Sequence, residues 1–303
     1  MIEITLMDIN FRDGGYDRMT RSFQRLDLLA GLAAALPFPP DVVFLQEGYR
    51  FGDDGAELMH YAGQLLGGLT GFLMPPVHGL LYQVVYLRCP PFVPLRHFHR
   101  HSPGVYHDQE GWVHAGHPAL GERVLKLCSV HMAYHDGDAR MSEAKRYSRY
   151  AASGEFSVLA GDFNSLWPDC PRHDELEPDW TALPDHARGH KTLGPGDRAA
   201  GEWVSDRRAG TVLAEAGWVN VGCLAGDMRP TVQPEVDNGQ GARIDHILVS
   251  RGLAPAVVAS SYDVDDSSIG ARASDHKRVS VRLNLAALAP SLDRAPTPPV
   301  GGG

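Results

Sequence analysis

The sequence has few cysteines and none of the spacings that mark a zinc ribbon or a disulfide framework. Its four cysteines are far apart and form no C-x-x-C pair. Such spacings indicate neither a disulfide framework nor a zinc ribbon. Cys128 lies within an apolar run and is interpreted as a small buried hydrophobic residue. A cysteine-stapled secreted scaffold is therefore not the expected class of protein.

Long hydrophobic segments are also missing. No stretch reaches the ~20 apolar residues that a membrane-spanning helix needs. The first ten residues form a strand-like pattern and lack the basic and apolar regions of a signal peptide. We therefore expect no membrane partner and predict a cytoplasmic location.

The chain has no excess of basic residues. Lys and Arg number 28 against 37 Asp and Glu, for a formal net charge of −9. Proteins that bind duplex DNA usually carry a basic surface, which here would have to be local. The charge favours a small, single-stranded or otherwise restricted substrate. It does not exclude nucleic acid, because an acidic metal site adds to the negative count.

Hydrophobic patterning predicts one α/β domain. Apolar strand-like runs recur along the 303 residues, helical patterns occupy 22–36 and 138–151, and no linker or repeat divides the chain. We predict a single catalytic domain over 1–285 and a disordered Pro- and Gly-rich tail over 286–303. Residues 90–120 are predicted to form a long irregular loop with a functional role.

Polar residues stand at the ends of most predicted strands. Carboxylates, amides and histidines in such places supply metal ligands, general acids and general bases. Any one of them has a structural alternative, such as an asparagine that completes a turn or a hydrogen-bonded core histidine. The segments are Asp8-Ile9-Asn10, Gln46-Glu47, Val130-His131, Gly161-Asp162-Phe163-Asn164, Arg243-Ile244-Asp245-His246 and Ser274-Asp275-His276.

In this order the segments resemble the endonuclease/exonuclease/phosphatase superfamily, which includes deoxyribonuclease-like and exonuclease III-like enzymes. The matching segments span residues 8–276, and Gly-Asp-Phe-Asn and Ser-Asp-His are the most specific. The resemblance implies a four-layer αββα sandwich of two mixed β-sheets flanked by helices. It also implies a hydrolase that depends on Mg²⁺ or Mn²⁺ and cleaves phosphodiester or phosphomonoester bonds.

The resemblance also implies roles for individual residues. The predicted metal ligands are Asn10, Glu47 and Asp275. The predicted catalytic residues are His131, Asp162, Asn164, Asp245 and His276. Among these, Asp245 would orient the imidazole of His276, which would act on the attacking water, and Asp162 would transfer a proton.

Two further residues are predicted to bind substrate, each with an alternative. Arg12 stands where apurinic endonucleases carry an acidic metal contact, so it would instead reach a substrate phosphate or remain a solvated loop cation. Trp167 would stack on a base or sugar, or simply pack in the core. A second departure is Ile9, where many relatives have tryptophan before the asparagine.

Three functions remain open at this point. The leading hypothesis is a nuclease or phosphodiesterase acting on nucleic acid. The alternatives are a phosphatase for small molecules such as inositol phosphates or nucleotides, and a catalytically silent binding module on the same fold. The intact polar set argues against the last, and only the loops would separate the first two.

Overall fold

The computed structural model describes residues 2–77, 79–100, 110–168, 170, 177–193 and 203–288. The strands are β1 (Glu3–Asn10), β2 (Val42–Tyr49), β3 (Thr70–Met74), β4 (Leu81–Leu87), β5 (Val93–Arg100), β6 (Glu110–Gly116), β7 (Leu125–His131), β8 (Phe156–Asp162), β9 (Thr192–Leu193), β10 (Val204–Ser205), β11 (Val219–Asn220), β12 (Asp245–Val249), β13 (Val257–Val264) and β14 (Val279–Asn284). The helices are α1 (Leu28–Ala34), α2 (Glu57–Leu65), α3 (Gly137–Tyr147), α4 (Asp185–Arg188), α5 (Arg208–Ala216), α6 (Val221–Ala225) and α7 (Ser268–Ala273).

Two sheets of six strands each have one parallel pair near their centre. The first sheet has the order β13-β14-β1-β2-β4-β3, and the second has the order β11-β12-β8-β7-β6-β5. Strands β1 and β2 run parallel in the first sheet, as do β7 and β8 in the second, while the neighbouring pairs are antiparallel. Strands β9 and β10 form a separate two-stranded ribbon.

The core has three apolar layers because both faces of each sheet are covered. Alternate residues of β1 divide between them: Ile4 and Leu6 face the second sheet, whereas Met7 and Ile9 face α1 and α2. On the far side, Trp112 and its neighbours in the second sheet pack against α3 and α5. Strands covered on both faces are apolar along their length, which explains the continuous hydrophobic runs. The predicted four-layer sandwich of two mixed sheets is confirmed.

Two local expectations differ from the structure. The helix predicted over 22–36 is a 3₁₀ turn (Gln24–Asp27) followed by the shorter α1. The stretch 90–120, predicted as irregular, contains β5 and β6, which pair at the edge of the second sheet. Its Pro and His content concealed a hairpin, because edge strands tolerate proline.

One disulfide is present that no sequence pattern indicated. Cys170 and Cys223 are bonded, 53 residues apart in sequence and 5.0 Å apart between their Cα atoms. Only the fold brings them together, so no sequence spacing signals the pair.

At the carboxyl end, Leu285–Leu288 form a 3₁₀ turn with Leu288 buried. The described chain therefore continues three residues beyond the boundary predicted at 285. Residues 289–303 of the predicted tail lie outside the described residues.

Candidate metal and active site

The polar residues of the site occupy the inner faces of the central strands. Along β8, Val158 and Ala160 point into the core between the sheets, so the two-residue period places Asp162 on that face. Asn10 continues the series Ile4 and Leu6 in the same way. The site is therefore the polar end of the core between the two sheets.

Strand pairing brings these residues to one edge. Within the second sheet, Asp162 is paired with His131 on the parallel strand β7 and with Asp245 on the antiparallel strand β12. Across the gap between the sheets, Asn10 Nδ2 donates to Asp162 Oδ2 at 3.1 Å. The carboxyl ends of both parallel pairs thus meet at one place.

Glu47 reaches the site through an unusual backbone conformation. The residue has φ of +60°, and the pairing of β2 with β4 shifts register between Leu45 and Gly48. Positive φ is uncommon outside glycine and asparagine. Its carboxylate accepts from Asn10 Nδ2 at 3.1 Å and from the Asp13 backbone N–H at 2.9 Å.

The turn after β8 holds Asp162 and Asn164 together. Gly161 has φ of +148°, and a Cβ there would lie 1.9 Å from the Val130 carbonyl oxygen. No other residue fits at this position, which explains the glycine of the Gly-Asp-Phe-Asn motif. The backbone N–H of Asn164 donates to Asp162 Oδ1 at 2.8 Å, and its side-chain amide donates to the Met132 carbonyl at 3.0 Å.

His276 is fixed by Asp245. Its Nδ1 lies 3.0 Å from both carboxylate oxygens of Asp245, and its Nε2 lies 3.8 Å from Asp162 Oδ2. Burial works to lower the pKa of His276, but Asp245, Asp162 and Asp275 outweigh it and the pKa is raised. The imidazole is therefore held cationic among carboxylates, with Nε2 directed into the site.

His131 lies on the opposite side of Asp162. Its Nε2 is 3.6 Å from Asp162 Oδ2 and 4.0 Å from Glu47 Oε1, and its side chain is buried. The structure thus gathers six of the predicted residues around one point: Asn10, Glu47, His131, Asp162, Asp245 and His276.

The donor set fits a divalent cation. The Glu47 carboxylate is partly exposed and lies beside the Asn10 amide, 3.1 Å from its Nδ2. Asn10 Oδ1 is buried and has no hydrogen-bond partner among the described residues, although buried amide oxygens normally have one. Carboxylate and amide oxygens are the ligands that Mg²⁺ and Mn²⁺ prefer.

Asp275, Arg12 and Trp167 lie farther from this centre. The Asp275 carboxylate pairs with Arg12 at 3.3 Å and accepts from Ser274 Oγ at 3.3 Å. Arg12 and Asp275 both lie at the rim of the site, and the Arg12 side chain is 55% exposed. Trp167 is only 6% exposed and packs near the ring of His246, as the core alternative predicts.

A buried polar layer beneath the site was not singled out from the sequence. Gln46 Nε2 donates to Asp8 Oδ1 at 3.1 Å and to Ser129 Oγ at 2.9 Å, joining the two sheets. Burial and the neighbouring Asp245 carboxylate raise the pKa of Asp8 well above its ordinary value. The two-residue period was the available signal, since Asp8 and Gln46 share the inner faces with Asn10 and Phe44.

The loop that follows β7 is held by α3. Arg140 Nη1 donates to the Ala133 carbonyl at 2.9 Å, and Glu143 accepts from the Ala133 backbone N–H at 3.2 Å. Both side chains are buried. They act on the loop that carries Met132, the partner of Asn164, and so position the site without facing it.

A sequence profile of the Endonuclease/Exonuclease/phosphatase family matches residues 13–276. The chain belongs to this family. The matched range contains every residue gathered above except Asn10, which lies just before it. A comparison with curated proteins finds no significant match.

Solved structures of the family share the fold. An endonuclease/exonuclease/phosphatase from Beutenbergia cavernae is similar with a TM-score of 0.61 and 18% identity, over 94% of this chain and 72% of that one. TDP2 from D. rerio, complexed with single-strand DNA product, is similar with a TM-score of 0.58 and 16% identity, over 94% of this chain and 100% of that one. The endonuclease domain of the retrotransposon TRAS1 has a TM-score of 0.53 and 13% identity, over 94% of this chain and 100% of that one. In the described part of this chain, no helix has the length and apolar character to cross a membrane.

Proposed function

We propose that the chain is a Mg²⁺-dependent phosphodiesterase, with Mn²⁺ as a substitute, that acts on nucleic acid. The observation that carries the proposal is the His276–Asp245 pair, whose free Nε2 lies 3.8 Å from Asp162 Oδ2 beside the Asn10–Glu47 bridge. Phosphodiester hydrolysis needs charge stabilisation, a base and an acid at one point, and this cluster supplies all three.

The cation is assigned to Glu47, with Asn10 beside it and Asp275 toward its rim. When bound, the cation would polarise a phosphoryl oxygen and neutralise developing negative charge. The His276 imidazolium donates from Nε2 to a second phosphoryl oxygen, since Nδ1 is held by Asp245.

The remaining residues transfer protons or bind the phosphate. Asp162 accepts the proton of the attacking water, because it lies between both histidines. His131 donates a proton to the leaving oxygen from the opposite side. Asn164 donates its second amide N–H to the phosphate, while the first stays on Met132. Arg12 at the rim contributes a guanidinium to substrate phosphate.

Nucleic acid is proposed as substrate because two of the similar structures are TDP2 with single-strand DNA product and the endonuclease domain of TRAS1. The net charge of −9 favours a second candidate, a phosphatase for small phosphorylated molecules. Location in the cytoplasm stays a prediction, and the Cys170–Cys223 bond counts against it, because cytosolic disulfides are rare.

A substrate panel with Mg²⁺ or Mn²⁺ tests the proposal. It contains single-stranded and duplex DNA, RNA, bis-p-nitrophenyl phosphate, inositol phosphates and nucleotides. We expect turnover of the diesters that is lost in Asp162→Asn. If inositol phosphates or nucleotides alone are hydrolysed, the phosphatase replaces the proposed activity. If no substrate is turned over with either metal, the enzyme assignment fails.

A further inference from the structure

A cavity of about 570 Å³ opens beside the proposed active site and is walled by arginines. Ser274 joins the two: its hydroxyl donates to the Asn10 carbonyl at 2.7 Å and accepts from the Arg12 backbone N–H at 3.1 Å. The cavity therefore adjoins the rim of the proposed active site, where Arg12 and Asp275 lie and also line the cavity. Its basic lining residues are Arg12, Arg18, Arg25 and Arg272.

Most of the acidic residues in the wall are already engaged. Asp13 pairs with Arg18 at 2.8 Å, and Asp275 pairs with Arg12 at 3.3 Å. Asp17 accepts from two backbone N–H groups, those of Met19 and Thr20. The fourth acid, Glu235, is exposed, so water screens its charge.

Two of the arginines have no carboxylate partner within the described residues. Arg25 donates to three backbone carbonyls, those of Ala273, Arg12 and Tyr16, at 2.9–3.1 Å. Arg272 is exposed and donates from Nε to the Ser268 carbonyl at 3.2 Å. Arg25 thus braces the wall, and the terminal nitrogens of Arg272 are available to an anion. Arg18 meets Asp13 through Nη2, and its side chain is 77% exposed, so it also presents guanidinium N–H groups to solvent.

The cavity also offers an apolar surface. The Met19 side chain is 93% exposed at its mouth, and the ring of Tyr16 lines the wall. A sugar or base can contact such a surface while its phosphate pairs with guanidinium groups. A surface that bound only an inorganic ion would need neither Met19 nor Tyr16.

We propose that this cavity binds a second phosphate of the substrate, one nucleotide away from the scissile phosphate, through Arg18 and Arg272. The inference rests on the proposed function and deepens it. The preferred substrate is then a strand with phosphates on both sides of a nucleoside, and an isolated phosphate ester is a poor one. A guanidinium binds a phosphate through charge-assisted hydrogen bonds, which are the strong ones.

Matched chromogenic esters test the second phosphate. Thymidine 5′-(p-nitrophenyl phosphate) is compared with and without a 3′-phosphate, and thymidine 3′-(p-nitrophenyl phosphate) with and without a 5′-phosphate. For one of the two esters we expect the second phosphate to raise kcat/KM about tenfold, as one or two charge-assisted contacts would. The two esters cover both strand polarities.

The arginines are tested by the ratio of kcat/KM with and without the second phosphate. In the Arg18→Ala/Arg272→Ala variant this ratio is expected to fall to about one, with the thermal melting midpoint measured to check folding. Arg146→Ala is the matched control, because Arg146 is an exposed arginine on α3 outside this cavity. It is expected to keep the ratio of the native protein.

The possible results separate the two proposals. Absence of turnover for all four esters and for DNA defeats the proposed function itself. If the esters are hydrolysed but the ratio is near one for both in the native protein, the second phosphate site is wrong and the enzyme assignment stands. A native-like ratio in a folded double variant also overturns the assignment to Arg18 and Arg272.

Discussion

Nδ1 of His276 lies 3.0 Å from both carboxylate oxygens of Asp245. The two residues are 31 positions apart, and one short segment contacts both: Val232 forms a bridge with His276, and Thr231 Oγ1 accepts from the Asp245 backbone N–H at 3.0 Å. A histidine held this way by a buried carboxylate keeps one tautomer and one ring orientation. The free nitrogen can then point only toward Asp162.

Replacing Asp245 with asparagine is therefore expected to lower kcat by about 10²-fold or more, with a smaller change in KM. The amide cannot hold the imidazolium charge and can stabilise the wrong tautomer. Steady-state kinetics on a diester give the measurement. Asp54→Asn is the control, since Asp54 is exposed on a loop away from the cluster. Activity of Asp245→Asn within threefold of the native protein would remove the pair from the mechanism.

Glu47→Gln is expected to weaken the binding of the cation without destabilising the fold. The glutamine keeps the volume of the side chain but loses the charge that faces Asn10. We expect the Mg²⁺ concentration for half-maximal activity to rise about tenfold or more, and EDTA to abolish activity in both proteins. Glu57→Gln, on the exposed side of α2, serves as control. Isothermal titration with Mn²⁺ supplies a readout independent of turnover, and unchanged affinity would contradict the assignment.

His246 makes stability depend on pH. It is buried, and both ring nitrogens have partners, Nδ1 with the Asn220 amide at 3.1 Å and Nε2 with the Ser165 carbonyl at 3.0 Å. Burial and the nearby Arg243 charge lower its pKa to about 3. Only the neutral ring with hydrogen on Nε2 satisfies both contacts.

The direction of this pH dependence follows from the pH at which the folded and unfolded chains each bind the proton. The unfolded chain protonates this histidine near pH 6.5, and the folded chain does so only near pH 3. Stability is therefore complete above pH 6.5 and declines as the pH falls toward 3, by up to about 1.4 kcal/mol per pH unit from this one group. Urea unfolding between pH 7 and 5 should show a shallower decline for His246→Asn than for the control His60→Asn, whose histidine is exposed. Equal slopes would exclude His246 as the source.

Gly161→Ala is expected to destabilise the protein by about 2–4 kcal/mol, because the new methyl group meets the Val130 carbonyl in a backbone region that suits glycine. Gly154→Ala is the control variant, because no atom lies within 4 Å of a Cβ placed on Gly154. Denaturant unfolding of both variants gives the comparison. A loss below 0.5 kcal/mol at Gly161 would show that β7 and β8 separate easily.

The hydrophobic runs predicted an α/β domain with polar residues at its strand ends for physical reasons, whereas the four layers and the roles of the site residues came from the family resemblance. Central strands are apolar on both faces, so they are visible as uninterrupted runs, and polar residues at their ends stand out against them. Asp162 and Asp245 were recognisable in this way. The β5–β6 hairpin was not, because an edge strand with Pro94 and alternating His97 and His99 lacks such a run.

Features that depend on tertiary contact could not be read from the chain. Glu47 reaches the site only through its left-handed backbone, and the Cys170–Cys223 bond joins segments without a common pattern. Trp167 follows Asn164 closely in sequence, yet the turn directs it into the core. Asp275 adjoins His276 but pairs with Arg12, since neighbouring residues in an extended segment point in opposite directions.

The site is a seam between two sheets, and the second sheet is inserted in sequence between β4 and β13 of the first. Asn10 and Glu47 come from the first sheet, and His131, Asp162 and Asp245 come from the second. Because β14 pairs with β1, the first sheet is complete only when the two ends of the described chain meet. The seam is therefore a late product of folding, which requires contacts between the most distant parts of the sequence.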